Sequence, residues 1–187
     1  MTYTCTVETP LGTMTAAAEE EALTGLWFIG QKFYPAATAS WINEPDYPVF
    51  KALRSHLTRY FAGQDPGNDI VLVPHGSLFR KKVWDFLLKI PFGEVVTYGE
   101  IARAIARAEG LASMSAQAVG GAVGHNPISI LIPCHRVVGA DRGLTGYAGG
   151  LDKKEALLRL EGVNRCRTNT PMASMARRAS GSFGAWR

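Results

Sequence analysis

The sequence predicts an α+β chain in which a small sheet-and-helix unit precedes a mainly helical one. Three observations carry this reading. Short β-prone runs separated by polar turns fill the chain up to Ile29, whereas beyond residue 75 the apolar positions recur at helical spacing. The charge balance changes at the same place: residues 1–74 carry four basic and eight acidic side chains, residues 75–161 carry eleven and eight, and residues 162–187 carry five arginines and no acid. A polar, glycine-containing stretch, 63–69, lies just before the change. We therefore read residues 1–74 as a first domain with its linker, 75–166 as a second domain, and 167–187 as a flexible arginine-rich tail. At 187 residues and 47% apolar content, the chain can fill one core or two small ones.

In chain order, residues 3–8, 11–19 and 23–29 read as strands of a small antiparallel sheet, with Thr9-Pro10-Leu11-Gly12 as a turn. A helix starts at Pro48, which suits a first helical turn, and shows Val49, Leu53, Leu57, Tyr60 and Phe61 as its apolar stripe. Gly63 ends it, and residues 70–73 are extended. Ser77 caps a second helix with Phe79, Val83, Phe86, Leu87 and Ile90 on one face; Pro91-Phe92-Gly93 stops it. Val95 and Val96 are extended. Thr97 and Glu100 form a capping box for a helix reaching Ala108, with Ile101, Ala102 and Ile105 inward. After a loop at 109–115, a short helix spans 116–125, with Ala118, Val119, Ala122 and Val123 at helical spacing. Residues 97–125 are thus compatible with a helix-turn-helix unit, although its connection is long. Residues 128–132 are apolar and β-prone. Five glycines punctuate the loop from Gly139 to Gly150, and Asp152 with Glu155 caps a last helix that has Ala156, Leu157 and Leu160 inward.

Several classes are excluded or weakened. No apolar run is long enough to cross a bilayer, and the amino terminus lacks the basic start and apolar core of a signal peptide, so a cytoplasmic protein is expected. Three scattered cysteines, Cys5, Cys134 and Cys166, make a poor disulfide framework and no paired metal motif. There is no phosphate loop and no dinucleotide fingerprint; the Gly120-Gly121 pair sits inside a helical segment. The basic second part and tail can face a polyanion while the acidic first part faces away.

Chemistry concentrates at Cys134, in the run Ile132-Pro133-Cys134-His135-Arg136-Val137. Pro133 fixes the approach of the chain, and His135 and Arg136 supply donors or positive charge that would favour a nucleophilic thiolate. On residue types alone, Cys134 and His135 serve equally as packed core residues and Arg136 as an ion-pair partner.

The order of motifs resolves the choice. Pro91-Phe92-Gly93-Glu94-Val95-Val96-Thr97-Tyr98, Ala118-Val119-Gly120-Gly121-Ala122, Asn126-Pro127-Ile128, the cysteine run, Gly146-Tyr147-Ala148-Gly149-Gly150-Leu151 and Leu157-Leu158-Arg159-Leu160-Glu161-Gly162 follow one another. This sequence resembles the methylated-DNA–protein-cysteine methyltransferases, the O6-alkylguanine-DNA alkyltransferase family. The likeness is strongest over 79–162 and looser before it. It implies a ribonuclease-H-like first domain and a winged helix-turn-helix-like second domain. It also implies irreversible, stoichiometric transfer of a methyl or other alkyl group from O6-alkylguanine, secondarily O4-alkylthymine, to Cys134. The expected partner is double-stranded DNA, bound by a monomer without cofactor or metal.

The resemblance implies roles as well. His135 draws the thiol proton through a water, Glu161 pairs with His135, and Asn126 bridges the active-site turn and this network. Tyr98 meets charge on the leaving guanine. Arg136 is structural. Backbone groups at Cys134, Val137 and Ala148 contact the guanine edge, while Tyr147 and Gly149 border the alkyl pocket. Residues 116–124 would be the recognition helix, placing Gln117, Ala118, Gly121, Ala122 and Val123 at the DNA. Two departures stand out. Gln117 occupies a position where relatives often carry an arginine, and Ala148 one where some carry serine. The rivals are a DNA-binding module that senses alkylated bases without transfer, and a cysteine hydrolase.

Overall fold

The computed structural model describes residues 1–36 and 40–163. The expected arginine-rich tail, and Cys166, lie outside them. The first unit is a sheet of β1 (Thr2–Val7), β2 (Met14–Glu19), β3 (Ala22–Phe28) and β4 (Ile42–Asn43) in the order β3-β2-β1-β4. The β1/β2 and β2/β3 pairs are antiparallel as expected, but β4 runs parallel to β1, so the sheet is mixed. The second strand begins at Met14 rather than residue 11. Thr9 closes a turn there, its carbonyl accepting the Gly12 N–H and its hydroxyl the Leu11 N–H. Helix α1 (Pro48–Phe61) has Pro48 at its start and buries Val49, Phe50, Leu53, His56, Leu57 and Tyr60.

Every residue from Leu23 to Phe28 is buried, which is unusual for a strand at the margin of a sheet. The reason is that two segments pair along its open side. Leu23 exchanges backbone hydrogen bonds with Val71 and Val73; Leu26 exchanges them with Pro127 and Ser129. The second of these segments leads directly into the Cys134 turn. Residues 128–132 therefore form no strand of their own. Ile128 makes a single bridge to Leu26, and the chain then folds back, with the Ile132 N–H donated to the Ile128 carbonyl.

The second unit contains α2 (Leu78–Leu87), β5 (Val96–Thr97), α3 (Tyr98–Ala108), α4 (Ala116–Gly124), β6 (Val137–Val138) and α5 (Leu151–Leu160). Ser77 caps α2 by accepting the Arg80 N–H. This helix ends before Ile90, and the largest side chain it buries is Trp84, whose indole N–H reaches the Ala122 carbonyl of α4 at 2.9 Å. The Thr97–Glu100 capping box is complete, with bonds in both directions, an arrangement that stabilises a helix start by about 1 kcal/mol. Strand β5 pairs in parallel with β6, joining the start of α3 to the exit of the Cys134 turn. The last helix departs from expectation. Its cap is Gly150 with no side-chain bond, Asp152 lies within the first turn, and the buried side chains are Lys154, Leu157 and Leu158. No helix among the described residues is long and apolar enough to cross a membrane.

One glycine is required by contact as well as by conformation. Gly93 has φ +78°, and a Cβ there would lie 2.9 Å from the Glu161 carbonyl. Gly93→Ala is expected to destabilise the fold by about 1–3 kcal/mol through left-handed strain and this clash. Thermal unfolding of the variant measures it.

Candidate active site

Cys134, His135 and Arg136 form a single 3-10 turn immediately after Pro133. Its approach is held by Asn126. The Asn126 amide donates to the Ile128 carbonyl (3.2 Å), the Ile132 carbonyl (2.8 Å) and the Cys134 sulfur (3.0 Å), and its side-chain oxygen accepts the Ile128 N–H (3.0 Å). A β-prone stretch is thereby bent into a loop whose middle residue, Ile130, takes φ +71°. A β-branched residue tolerates that conformation only where its surroundings impose it.

Behind the sulfur lies a buried ionic cluster. His135 Nε2 is 2.7 Å from Glu161 Oε1, and both side chains are fully buried. Arg136 donates through Nε to Glu161 Oε2 (2.8 Å), through Nη2 to Oε1 (3.0 Å) and through Nη1 to the Ile90 carbonyl (2.6 Å). The Gly93 N–H adds a bond to Oε2 (3.2 Å), and the Tyr60 hydroxyl one to Oε1 (2.7 Å). Burial alone would raise the Glu161 pKa, but the bonds and charges of His135 and Arg136 outweigh it and hold the carboxyl at about 2. Burial lowers the His135 pKa, against the pull of Glu161. A neutral imidazole donating from Nε2 leaves Nδ1 as an acceptor, and Nδ1 is buried without a hydrogen-bond partner among the described residues.

Cys134 is 4% exposed, and its burial raises the thiol pKa; the Asn126 bond, the Lys154 charge and backbone N–H groups act the other way. Proton removal is therefore a distinct requirement. The sequence assigns the positive charge near the sulfur to His135 and Arg136. In the structure both turn to Glu161, and the cation whose field reaches Cys134 is Lys154. This lysine is 0% exposed. It donates to the carbonyls of Val137 (2.5 Å), Thr145 (2.5 Å) and Gly146 (3.3 Å), and burial lowers its pKa to about 8. It thus pins the glycine-rich loop to the strand leaving the Cys134 turn.

Tyr98, the first residue of α3, has its hydroxyl 3.4 Å from the same Thr145 and Gly146 carbonyls. Burial chiefly, and the nearby Cys134, raise its pKa, so it stays a neutral donor. The Tyr147 hydroxyl is buried, lacks a well-aligned partner among the described residues and also senses the Cys134 charge. Gly149 is sandwiched, since a Cβ there would meet the Tyr147 ring at 2.9 Å and Phe28 at 3.1 Å. The Ala148 carbonyl accepts the Lys32 N–H at 3.0 Å, and the Val137 side chain is buried while its carbonyl is engaged by Lys154.

On α4, capped by Ser115, Gln117, Ala118 and Gly121 are exposed. Ala122 and Val123 are not: both pack into the core, which corrects their expected place on the outer face. Gly120 faces the Tyr98 ring, with 3.7 Å from its would-be Cβ, and so links this helix to the site. A separate crevice behind the turn is lined by His56, Tyr60, Pro66, Ile130, Pro133 and Arg136 among others; Cys134 does not line it. The sequence reading misses Tyr60 and Lys154 as members of the site.

Two family models match the chain: the 6-O-methylguanine DNA methyltransferase ribonuclease-like domain over residues 1–69, and the DNA binding domain of the same family over 78–163. A methylated-DNA–protein-cysteine methyltransferase of Mycolicibacterium paratuberculosis is 46% identical over 156 residues, 83% of this chain and 90% of the relative. One from Methanosarcina acetivorans is 42% identical over 160 residues, 86% and 98%. The solved Mycobacterium tuberculosis O6-methylguanine methyltransferase superposes with a TM-score of 0.75 at 39% identity, covering 93% of this chain and 99% of that one. The same mycobacterial protein in complex with DNA gives 0.75 at 38%.

Proposed function

Since the chain belongs to the methylated-DNA–protein-cysteine methyltransferase family, which moves a methyl group from O6-alkylguanine in DNA to an active-site cysteine, we propose that Cys134 is the acceptor and that the buried cluster behind it prepares the sulfur. The observation that carries this is one turn that bears two buried pairs side by side, the Cys134 sulfur on the Asn126 amide at 3.0 Å and His135 on Glu161 at 2.7 Å, with His135 Nδ1 left as an acceptor.

The steps follow from these positions. DNA is the partner, and the exposed face of α4, with Gln117, Ala118 and Gly121, meets it. A buried sulfur cannot reach a stacked base, so the guanine leaves the helix. His135 Nδ1 takes the thiol proton through a water, and the imidazolium that forms is balanced by Glu161. The sulfur attacks the alkyl carbon, the carbon–O6 bond breaks, and its electron pair passes into the guanine ring. The Tyr98 hydroxyl, held neutral, meets that charge, and the proton taken from the thiol ends on the guanine. Asn126 and the Lys154 field favour the anionic sulfur before attack. The product thioether has no leaving group for water to displace, so each molecule acts once. Larger alkyl groups and O4-alkylthymine are further substrates of this reading. The protein acts as a cytoplasmic monomer without a cofactor, with residues 1–74 and 75–166 as its two domains.

Intact-mass measurement after mixing with a duplex containing O6-methylguanine tests the assignment. The expected result is a gain of about 14 Da, one methyl for one hydrogen, located at Cys134 and saturating at one equivalent. Repeated turnover, or methyl found on another residue, would overturn it.

A further inference from the structure

The first unit reaches into the catalytic cluster through one hydroxyl. Tyr60, in the last turn of α1, is 2% exposed, and its ring packs edge-on against Phe61, Phe92 and His135. Its hydroxyl donates to Glu161 Oε1 at 2.7 Å and lies 3.3 Å from His135 Nε2. That carboxylate oxygen is the one His135 uses, also at 2.7 Å. We infer that Tyr60 is a positioning residue for the transfer reaction, holding Glu161 in the orientation His135 needs and sharing the oxygen that steadies the imidazolium. The inference rests on the reading of Cys134 as acceptor and His135 as the group that takes its proton.

The physics is a competition between donors. An oxygen that accepts a second hydrogen bond offers less electron density to the first. With Tyr60 and Arg136 Nη2 both on Oε1, His135 holds a proton less firmly than it would against a carboxylate bound by His135 alone. The charged and titratable groups around the cluster come from several elements: Arg136 and Cys134 from the active-site turn, Lys154 and Glu161 from α5 and its end, and Tyr147 from the glycine-rich loop. His56, one turn earlier on α1, is engaged by Asp69 at 2.8 Å and shares a crevice wall with Tyr60. Burial, with Glu161 close by, pushes the phenol pKa far upward, so Tyr60 stays a donor wherever the protein is folded.

The test uses the full chain with Tyr60→Phe, and in parallel with 3-fluorotyrosine at position 60, which keeps the ring and strengthens the donor. Two profiles are recorded against pH: methyl transfer from an O6-methylguanine duplex, and alkylation of Cys134 by iodoacetamide without DNA, followed by the mass of the Cys134 peptide. Loss of the hydroxyl makes His135 a stronger base, so the Tyr60→Phe midpoint for iodoacetamide is expected to fall by roughly half a unit, about a three-fold rate change below the midpoint. The fluorinated protein shifts the opposite way. Maximal transfer by Tyr60→Phe is expected to drop about ten-fold as Glu161 loses its fixed orientation. A midpoint unchanged in both proteins, whatever happens to rate or stability, reduces Tyr60 to packing and overturns the inference. If Tyr60→Phe does not fold, the fluorotyrosine shift decides alone. Failure of the wild-type protein to take methyl from DNA, with the iodoacetamide shifts intact, would instead overturn the assigned reaction.

Discussion

Cys134→Ala is expected to gain no mass from O6-methylguanine DNA under conditions where the wild-type chain is saturated. No neighbouring side chain matches the sulfur as an acceptor: Asn126 donates to it, the Lys154 ammonium is committed to three carbonyls, and the aromatic hydroxyls are held neutral by burial. DNA binding is expected to persist within about three-fold, because the exposed face of α4 does not depend on the sulfur. The variant should also fold. Asn126 keeps its bonds to the Ile128 and Ile132 carbonyls when the sulfur is gone, so the cost is about 1 kcal/mol for one buried atom and one weak bond. Methyl uptake, fluorescence anisotropy with duplex DNA and a thermal melt check the three parts separately. Residual one-equivalent methylation would move the acceptor elsewhere.

Glu161→Gln is expected to damage both chemistry and fold. Its carboxylate collects His135, Tyr60, two nitrogens of Arg136 and the Gly93 N–H in a buried setting. A neutral amide leaves the Arg136 charge uncompensated, at about 3–5 kcal/mol, and removes the anion that balances an imidazolium, lowering transfer by about a hundred-fold or more. The same carboxylate gives a pH signature. Its folded pKa of about 2 lies below the ordinary 4.5, so its contribution is full above that ordinary value and fades as pH falls towards 2. The amount at stake is about 3 kcal/mol. Urea unfolding at neutral and acidic pH should therefore show wild type losing stability on acidification more steeply than Glu161→Gln. Parallel losses in the two proteins would remove Glu161 as the source.

The contiguous part of this site was legible because it is contiguous. Pro133, Cys134, His135 and Arg136 announce a bent, polar turn by residue type. Asn126, Glu161 and Tyr98 were legible through resemblance, since nothing local distinguishes an asparagine before a proline or a glutamate ending a helix. Tyr60 and Lys154 were not read as site residues. Tyr60 is 101 residues from Glu161, and its spacing on α1 is that of any core tyrosine. Lys154 lies in Asp152-Lys153-Lys154-Glu155, which reads as a solvated face until Val137, Thr145 and Gly146 are seen to offer it carbonyls. The β-prone run at 128–132 forms no strand for a related reason. Its β-prone residues are overruled by one asparagine that takes two of the carbonyls a partner strand would have used. The inward turn of Ala122 and Val123 was implicit in their spacing with Val119, since three residues on one helical stripe cannot all face a partner when that stripe builds the core.

The open margin of β3 is closed in part by the segment that leads into the Cys134 turn. A piece of chain cut between the two units would leave the Leu26 N–H and C=O unpaired on one fragment and the Cys134 turn untethered on the other. The halves are therefore poor candidates for independent life. Recombination that exchanged one of them would have to match the seam at Leu26 residue for residue. Modularity in this molecule ends where its backbone ladder crosses from one half to the other.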